Sequence, residues 1–160
     1  MQEGRILAAC HEGAYVLRLV GDVRVTLCTT IEDYLQKMYD DPGFTSVWVD
    51  LTQAEGLDST TLGVLAQLAL NVNEKFGFKP AVFACDPGIV RLLQSMSFDR
   101  LYDIREEACV EPADITQIPS VSGSQQQVRD TVIEAHRVLM GLSEDNRERF
   151  QDLMNTLERA

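Results

Sequence analysis

An α/β fold built on a mostly parallel sheet is predicted by three features of this 160-residue chain. Short β-prone apolar runs, Val47-Trp48-Val49 and Ala81-Val82-Phe83 among them, fit strands buried on both faces. Segments with apolar residues at helical spacing alternate with those runs, as right-handed crossovers require. The first two runs are separated by only a tight turn and therefore pair as an antiparallel hairpin at the N-terminal end.

Residues 5–10 form the first strand and 14–20 the second, joined at His11-Glu12-Gly13. Arg18 is the single charge in the second run, so one face of that strand is buried and the other mostly so. Gly21-Asp22 is expected to end it. Leu27, Ile31, Leu35 and Met38, widened by Tyr34, give a first helix over 27–39, which Asp40-Asp41-Pro42-Gly43 terminates. The central strand follows, and Thr52 to Gly56 is read as a turn-forming segment.

The second helix is predicted over 59–76. Its main apolar stripe is Leu62, Leu65, Leu68, Val72 and Phe76, broadened by Val64, Ala66, Ala69 and Leu70. A helix apolar over so much of its circumference is either sandwiched or partly offered to a partner. Gly77 provides the stop. Pro80 to Cys85 is a further strand. Asp86 caps a third helix that carries Pro87 in its first turn and Ile89, Leu92, Leu93 and Met96 on one face. Leu101 to Ile104 is the last strand, so the first domain comprises residues 1–105.

Residues 106–124 have the acidic, Pro- and Ser-containing composition of a linker. Beyond it, over 125–160, Val128, Val132, Ala135, Leu139 and Leu142 fit one helix, and Phe150, Leu153, Met154 and Leu157 fit another. Ser143 is the expected cap of the second, and the short Gly141-Leu142-Ser143 junction makes the pair an antiparallel hairpin. Two amphipathic helices cannot bury their stripes alone. They dock on the first domain, on a second copy as a homodimer contact, or on another protein.

The charge balance narrows the partners. With 14 Lys and Arg against 25 Asp and Glu, the net charge of −11 disfavours nucleic acid and anionic membrane surfaces. No apolar run approaches the roughly 18 residues of a membrane span. The N-terminal residues lack the pattern of a secretory signal, which makes a cytoplasmic location the expectation. The four cysteines (Cys10, Cys28, Cys85, Cys109) have no metal-ligand spacing and read as small apolar side chains.

Catalysis finds little support in the residues. The two histidines, His11 and His136, fall in a turn and in the appended helix, away from any nucleophile in the predicted layout. GxSxG, HExxH and phosphate-binding Gly-rich patterns do not occur. No catalytic residue, metal or cofactor is expected. Attention falls instead on Asp58-Ser59-Thr60-Thr61. Small hydroxyl and carboxylate side chains before an apolar run mark a helix N-terminus, where a cap contributes ~1 kcal/mol. The same position presents a hydroxyl outward, where a phosphate meets unpaired N–H groups and the positive end of the helix dipole. It also adds about −1.5 to −2 charges to a surface that holds Asp58, which ejects a protein bound there.

The run VWVDLTQAEGLDSTTLGVL resembles the signature of STAS domains, the sulfate transporter and anti-sigma factor antagonist family. Asp50-Leu51-Thr52 matches the end of that family's central strand. Leu57-Asp58-Ser59 and Leu62-Gly63-Val64 match the apolar-Asp-Ser step and the Leu-Gly-Val/Ile step of the following helix. The likeness extends over Arg5 to Ile104, including Asp86-Pro87. It implies a non-enzymatic regulator of the anti-sigma factor antagonist type, phosphorylated at Ser59, with Thr60 and Thr61 as alternative acceptors. The implied partners are an anti-sigma factor with serine kinase activity and a serine phosphatase that resets the switch. The implied contact surface comprises Asp22, Arg24, Asp58, Ser59, Thr60, Thr61, Leu62 and Leu65. Where members of the family often have glycine, this chain has Thr61, and Asp22 is followed by Val23 and Arg24 where an acidic residue is usual. A constitutive STAS subunit of a lipid-transport ATPase complex, docking through the same tip without modification, is the alternative.

Overall fold

The computed structural model describes residues 1–159. Two N-terminal strands, β1 (Arg5–His11) and β2 (Ala14–Val23), pair antiparallel with Arg5 opposite Val20 and His11 opposite Ala14. Glu12 and Gly13 between them have φ of 50° and 84°. Positive φ at both central positions gives the turn whose twist matches a hairpin, and glycine at the second adopts it without strain.

A turn of 3-10 helix at Val25–Leu27 leads into α1 (Cys28–Tyr39), and β3 (Ser46–Asp50) then runs parallel to the first half of β2. The segment read as a turn contains part of a further strand, β4 (Ala54–Leu57), parallel to the end of β2. Gly21-Asp22 accordingly does not end β2. The strand shifts register there, leaves β3 and continues along β4 to Val23. Next come α2 (Ser59–Phe76), β5 (Ala81–Phe83), α3 (Pro87–Ser95) and β6 (Asp103–Arg105). β6 starts later than the sequence suggests because Phe98–Arg100 forms another 3-10 turn. Asp86 occupies the cap position of α3, but its side chain makes no capping bond.

The segment read as a linker is a strap tied to both sides of the sheet. Glu111 reaches Arg18, and β7 (Thr116–Gln117) adds antiparallel to β1, giving the order β6-β5-β3-β2-β1-β7. Further on, Val121 N–H donates to Thr30 Oγ1 of α1 at 2.9 Å. Two helices follow, α4 (Gln125–Met140) and α5 (Glu144–Arg159). A reciprocal capping box of Ser124 and Gln127 opens α4.

The core lies between the sheet and the helices. Leu17, Leu19, Val47, Val49 and Val82 supply the sheet side; Ile31, Leu35, Leu62, Leu65, Leu68 and Leu93 supply the helix side. Leu139, Leu142 and Phe150 of the C-terminal segment join the same cluster. Of the three placements open to the hairpin, the structure has it docked on the first domain. That makes α2 a sandwiched helix, between the sheet and α4, which accounts for its apolar circumference. No helix among the described residues is long and apolar enough to cross a membrane.

Candidate functional site

The mouth of α2 is built by one carboxylate. Asp58 has the extended backbone of a cap, with φ −83° and ψ 170°. Its Oδ1 accepts from Thr61 N–H and its Oδ2 from Val25 N–H, each at 2.8 Å. The side chain thus satisfies one of the free donors of the helix and ties the helix start to the loop after β2. Asp22 lies next to the last residue of β2 and Arg24 follows in that loop, its Nε donating to Asp22 Oδ2 at 2.7 Å. Asp22, Arg24 and Asp58 are therefore gathered at one end of the molecule, with Ser59 directly behind the cap.

The three hydroxyls of the mouth have different surroundings. Ser59 is partly buried, whereas Thr60 and Thr61 are 5% and 0% exposed. Thr61 Oγ1 donates to Val23 O at 3.3 Å and lies 3.6 Å from Cys28 Sγ. Burial pushes the Cys28 thiol up to about 12, so it stays protonated beside Thr61. Thr60 and Thr61 are thus corrected as surface groups: the first turn of α2 points them inward. Leu62 and Leu65 need the same correction, at 1% and 0% exposed, because their side of the helix lies in the sheet-facing core. Tyr102 Oη fixes this part of α2 by donating to Leu65 O at 2.5 Å.

The outer side of the helix mouth meets α4 instead. Ser59 Oγ is 2.7 Å from His136 Nε2, across 77 residues of sequence. The other ring nitrogen, Nδ1, is 2.7 Å from Val132 O, a carbonyl that can only accept. When the ring is neutral its proton therefore sits on Nδ1, and Nε2 accepts from the Ser59 hydroxyl. His136 is 2% exposed and meets the Phe150 ring edge-on at 5.1 Å. The expectation that neither histidine approaches a nucleophile is corrected here: the hairpin docks, and docking brings the imidazole to the serine.

One turn further along α2, α4 fills the place that a side chain at Gly63 would need. A Cβ at Gly63 would lie 2.4 Å from Ala135 O and 2.5 Å from Ala135 Cβ. His136 and Ala135 were not anticipated as site residues. The interior glycine of a helix apolar on all sides is the signal in the sequence for a second helix packed at this point.

On the opposite face of the sheet, Arg18 Nε donates to Asp50 Oδ2 at 2.7 Å, with both side chains buried. Glu111 of the strap closes on the same guanidinium with contacts of 3.1 and 2.5 Å, and this pairing holds the Glu111 carboxyl below the usual carboxylate range. Asp50 Oδ1 also accepts from the backbone N–H and the hydroxyl of Thr52. The Asp-Leu-Thr step is thus a structural tie beneath the loop that leads to Asp58. Among the described residues no three His, Cys, Asp or Glu side chains come together to hold a metal ion.

These features define a small α/β module whose distinctive surface is a capped helix mouth carrying one partly buried serine. The STAS domain family model matches residues 5–108, and the chain belongs to that family. A comparison with curated proteins gives no match. The matched region stops inside the strap, so α4 and α5 lie outside it.

Proposed function

We propose that the chain is an anti-sigma factor antagonist, a partner-switching regulator controlled by phosphorylation of Ser59. Unphosphorylated, it binds an anti-sigma factor with serine kinase activity and so frees that factor's other client. The kinase's ATP supplies the modification. Ser59 Oγ bonds to the γ-phosphorus, the β–γ phosphoanhydride breaks, ADP leaves, and the hydroxyl proton passes to a base of the kinase. A serine phosphatase restores the hydroxyl by hydrolysis.

One observation carries this reading: of the three consecutive hydroxyls at the mouth of α2, Ser59 alone is not buried, and it directly follows the capping Asp58 in a STAS domain. A phosphate at the first position of a helix lies near backbone donors and the positive end of the dipole, so the carrier tolerates it. A partner surface packed there does not, because it meets a new double charge and has to desolvate it. Asp22 and Arg24 extend the proposed contact surface, and Leu62 and Leu65 act beneath it by fixing the position of α2.

The test is binding of full-length variants to the kinase. Ser59→Ala is expected to bind constitutively and Ser59→Asp to bind at least about tenfold more weakly, a difference of ~1.4 kcal/mol. Equal binding by the two variants contradicts the switch.

A further inference from the structure

The helix mouth that a kinase has to read is already partly covered by this chain's own C-terminal hairpin. We propose that α4 and α5 form a cis-acting cover over Ser59, and that docking of α4 and a phosphate on Ser59 exclude one another. This inference rests on the reading of Ser59 as the phosphoacceptor and adds how access to it is controlled.

Three contacts set the geometry. The Ser59 hydroxyl is spent on His136 Nε2 at 2.7 Å, and the imidazole is held from behind by Val132 O and flanked by Phe150. A phosphorylated serine carries a phosphorus and three further oxygens beyond Oγ. With Ser59 Oγ pointed as it is, the phosphorus takes the place of the hydroxyl hydrogen and is aimed at the buried ring. Ring and phosphate cannot make room for each other by a small slide of α4, because Ala135 O and Cβ already fill the place a side chain at Gly63 would need. The hairpin's lower end is anchored as well. Asn146 Nδ2 donates to Met96 O at 3.0 Å and to Leu139 O at 2.9 Å, and Arg100 donates to Leu142 O. A helix pair held at one end and wedged at the other leaves as a unit, since packed interfaces move between discrete arrangements.

Two consequences follow for the switch. In the covered state a kinase reaches Ser59 only when α4 is undocked, so the resting phosphorylation rate is scaled by the undocked fraction. Once the phosphate is on, α4 cannot return, and its apolar stripe, with Ala135 and Leu139, is uncovered together with the outer face of α2. The phosphorylated chain therefore differs from the unmodified one by a released helical hairpin as well as by charge.

The direct test installs phosphoserine at position 59 of the full chain during translation, with no kinase involved. Hydrogen exchange is then compared with that of the unmodified chain. Peptides within 125–159 are expected to exchange at least about tenfold faster in the phosphorylated chain, while peptides of β1 to β3 keep their protection. Unchanged protection of 125–159 overturns the proposal. Ala135→Leu, made on α4 so that the first domain keeps its own residues, is expected to release the hairpin without phosphate. It is also expected to raise the rate at which the kinase and ATP modify Ser59. Equal rates for wild type and Ala135→Leu refute the cover and leave Ser59 standing as the acceptor. Failure of the kinase to modify either chain, with hairpin release still seen in the phosphoserine chain, refutes the kinase reading and leaves the cover standing.

Discussion

The strap and the hairpin are consecutive in sequence, and Glu111 of the strap lies on the face of the sheet opposite the hairpin, yet they are held by different physics. Glu111 of the strap grips a buried arginine by charge, through the Arg18–Asp50 pair. The hairpin is held by shape: a glycine against an alanine, an imidazole against a hydroxyl, and Leu139, Leu142 and Phe150 in the common core. A charge tie responds to pH and tolerates small changes in volume. A packed contact responds to atoms inserted into it. The face that carries Ser59 is covered by the second kind, which suits a site changed by adding atoms.

Breaking the charge tie at its buried end gives the largest expected effect. Arg18→Ala leaves Asp50 buried with only Thr52 for company, and removing one partner of a buried pair costs about 3 kcal/mol or more. Urea unfolding is expected to show a correspondingly lower midpoint with little change in slope. The packed side responds with opposite signs in two regions. Gly63→Ala favours α2 by about 1 kcal/mol of helix propensity, but its Cβ meets Ala135, and overpacking of this kind costs about 1–3 kcal/mol. Exchange protection is expected to fall across α4 and α5 and to persist in β2 and β3.

Asn146→Ala removes two donors to buried carbonyls at the foot of the hairpin, a loss of about 1–2 kcal/mol. It sharpens the comparison by loosening the hairpin without touching Ser59, and a lower unfolding midpoint at unchanged pH dependence checks it. The smallest effect belongs to the exposed end of the strap. Glu111→Gln is expected to shift the unfolding midpoint least of these four substitutions.

Acid tests the charge tie of the strap. Arg18 lowers the folded-state titration of Glu111, so the tie is complete above the ordinary glutamate value of about 4.3 and is lost as pH falls through the lowered value. Trp48 lines the same cleft as the strap residues Val110, Pro112 and Ala113, so its fluorescence reports the release. Glu111→Gln is expected to abolish that acid transition.

Much of the fold was legible because its signals are local. Asp58 and Gly77 bracket α2 from Ser59 to Phe76, and the alternation of apolar runs with helical stripes fixed the order of the central elements. β4 escaped because Ala54-Glu55-Gly56-Leu57 has little strand character of its own and is ordered by the extension of β2 beyond Gly21. The strap escaped for a related reason: its composition is that of a linker, and only a buried arginine on a distant strand reveals where Glu111 goes. The lone Arg18 in an apolar strand, with Asp50 ending its neighbour, was the available clue. At the site, the chain order supplied Asp58 and Ser59 but gave no depth, so Thr60, Thr61, Leu62 and Leu65 were placed on a surface they do not form. His136 was invisible to any reading of neighbours, because 77 residues separate it from the serine it holds.

The account turns on which hydroxyl receives the phosphate. Incubation of the full-length chain with the kinase and ATP, followed by mass-spectrometric mapping, is predicted to find phosphate on Ser59, none on Thr60 or Thr61, and none in Ser59→Ala. Phosphate on another residue, or undiminished modification of Ser59→Ala, would contradict it.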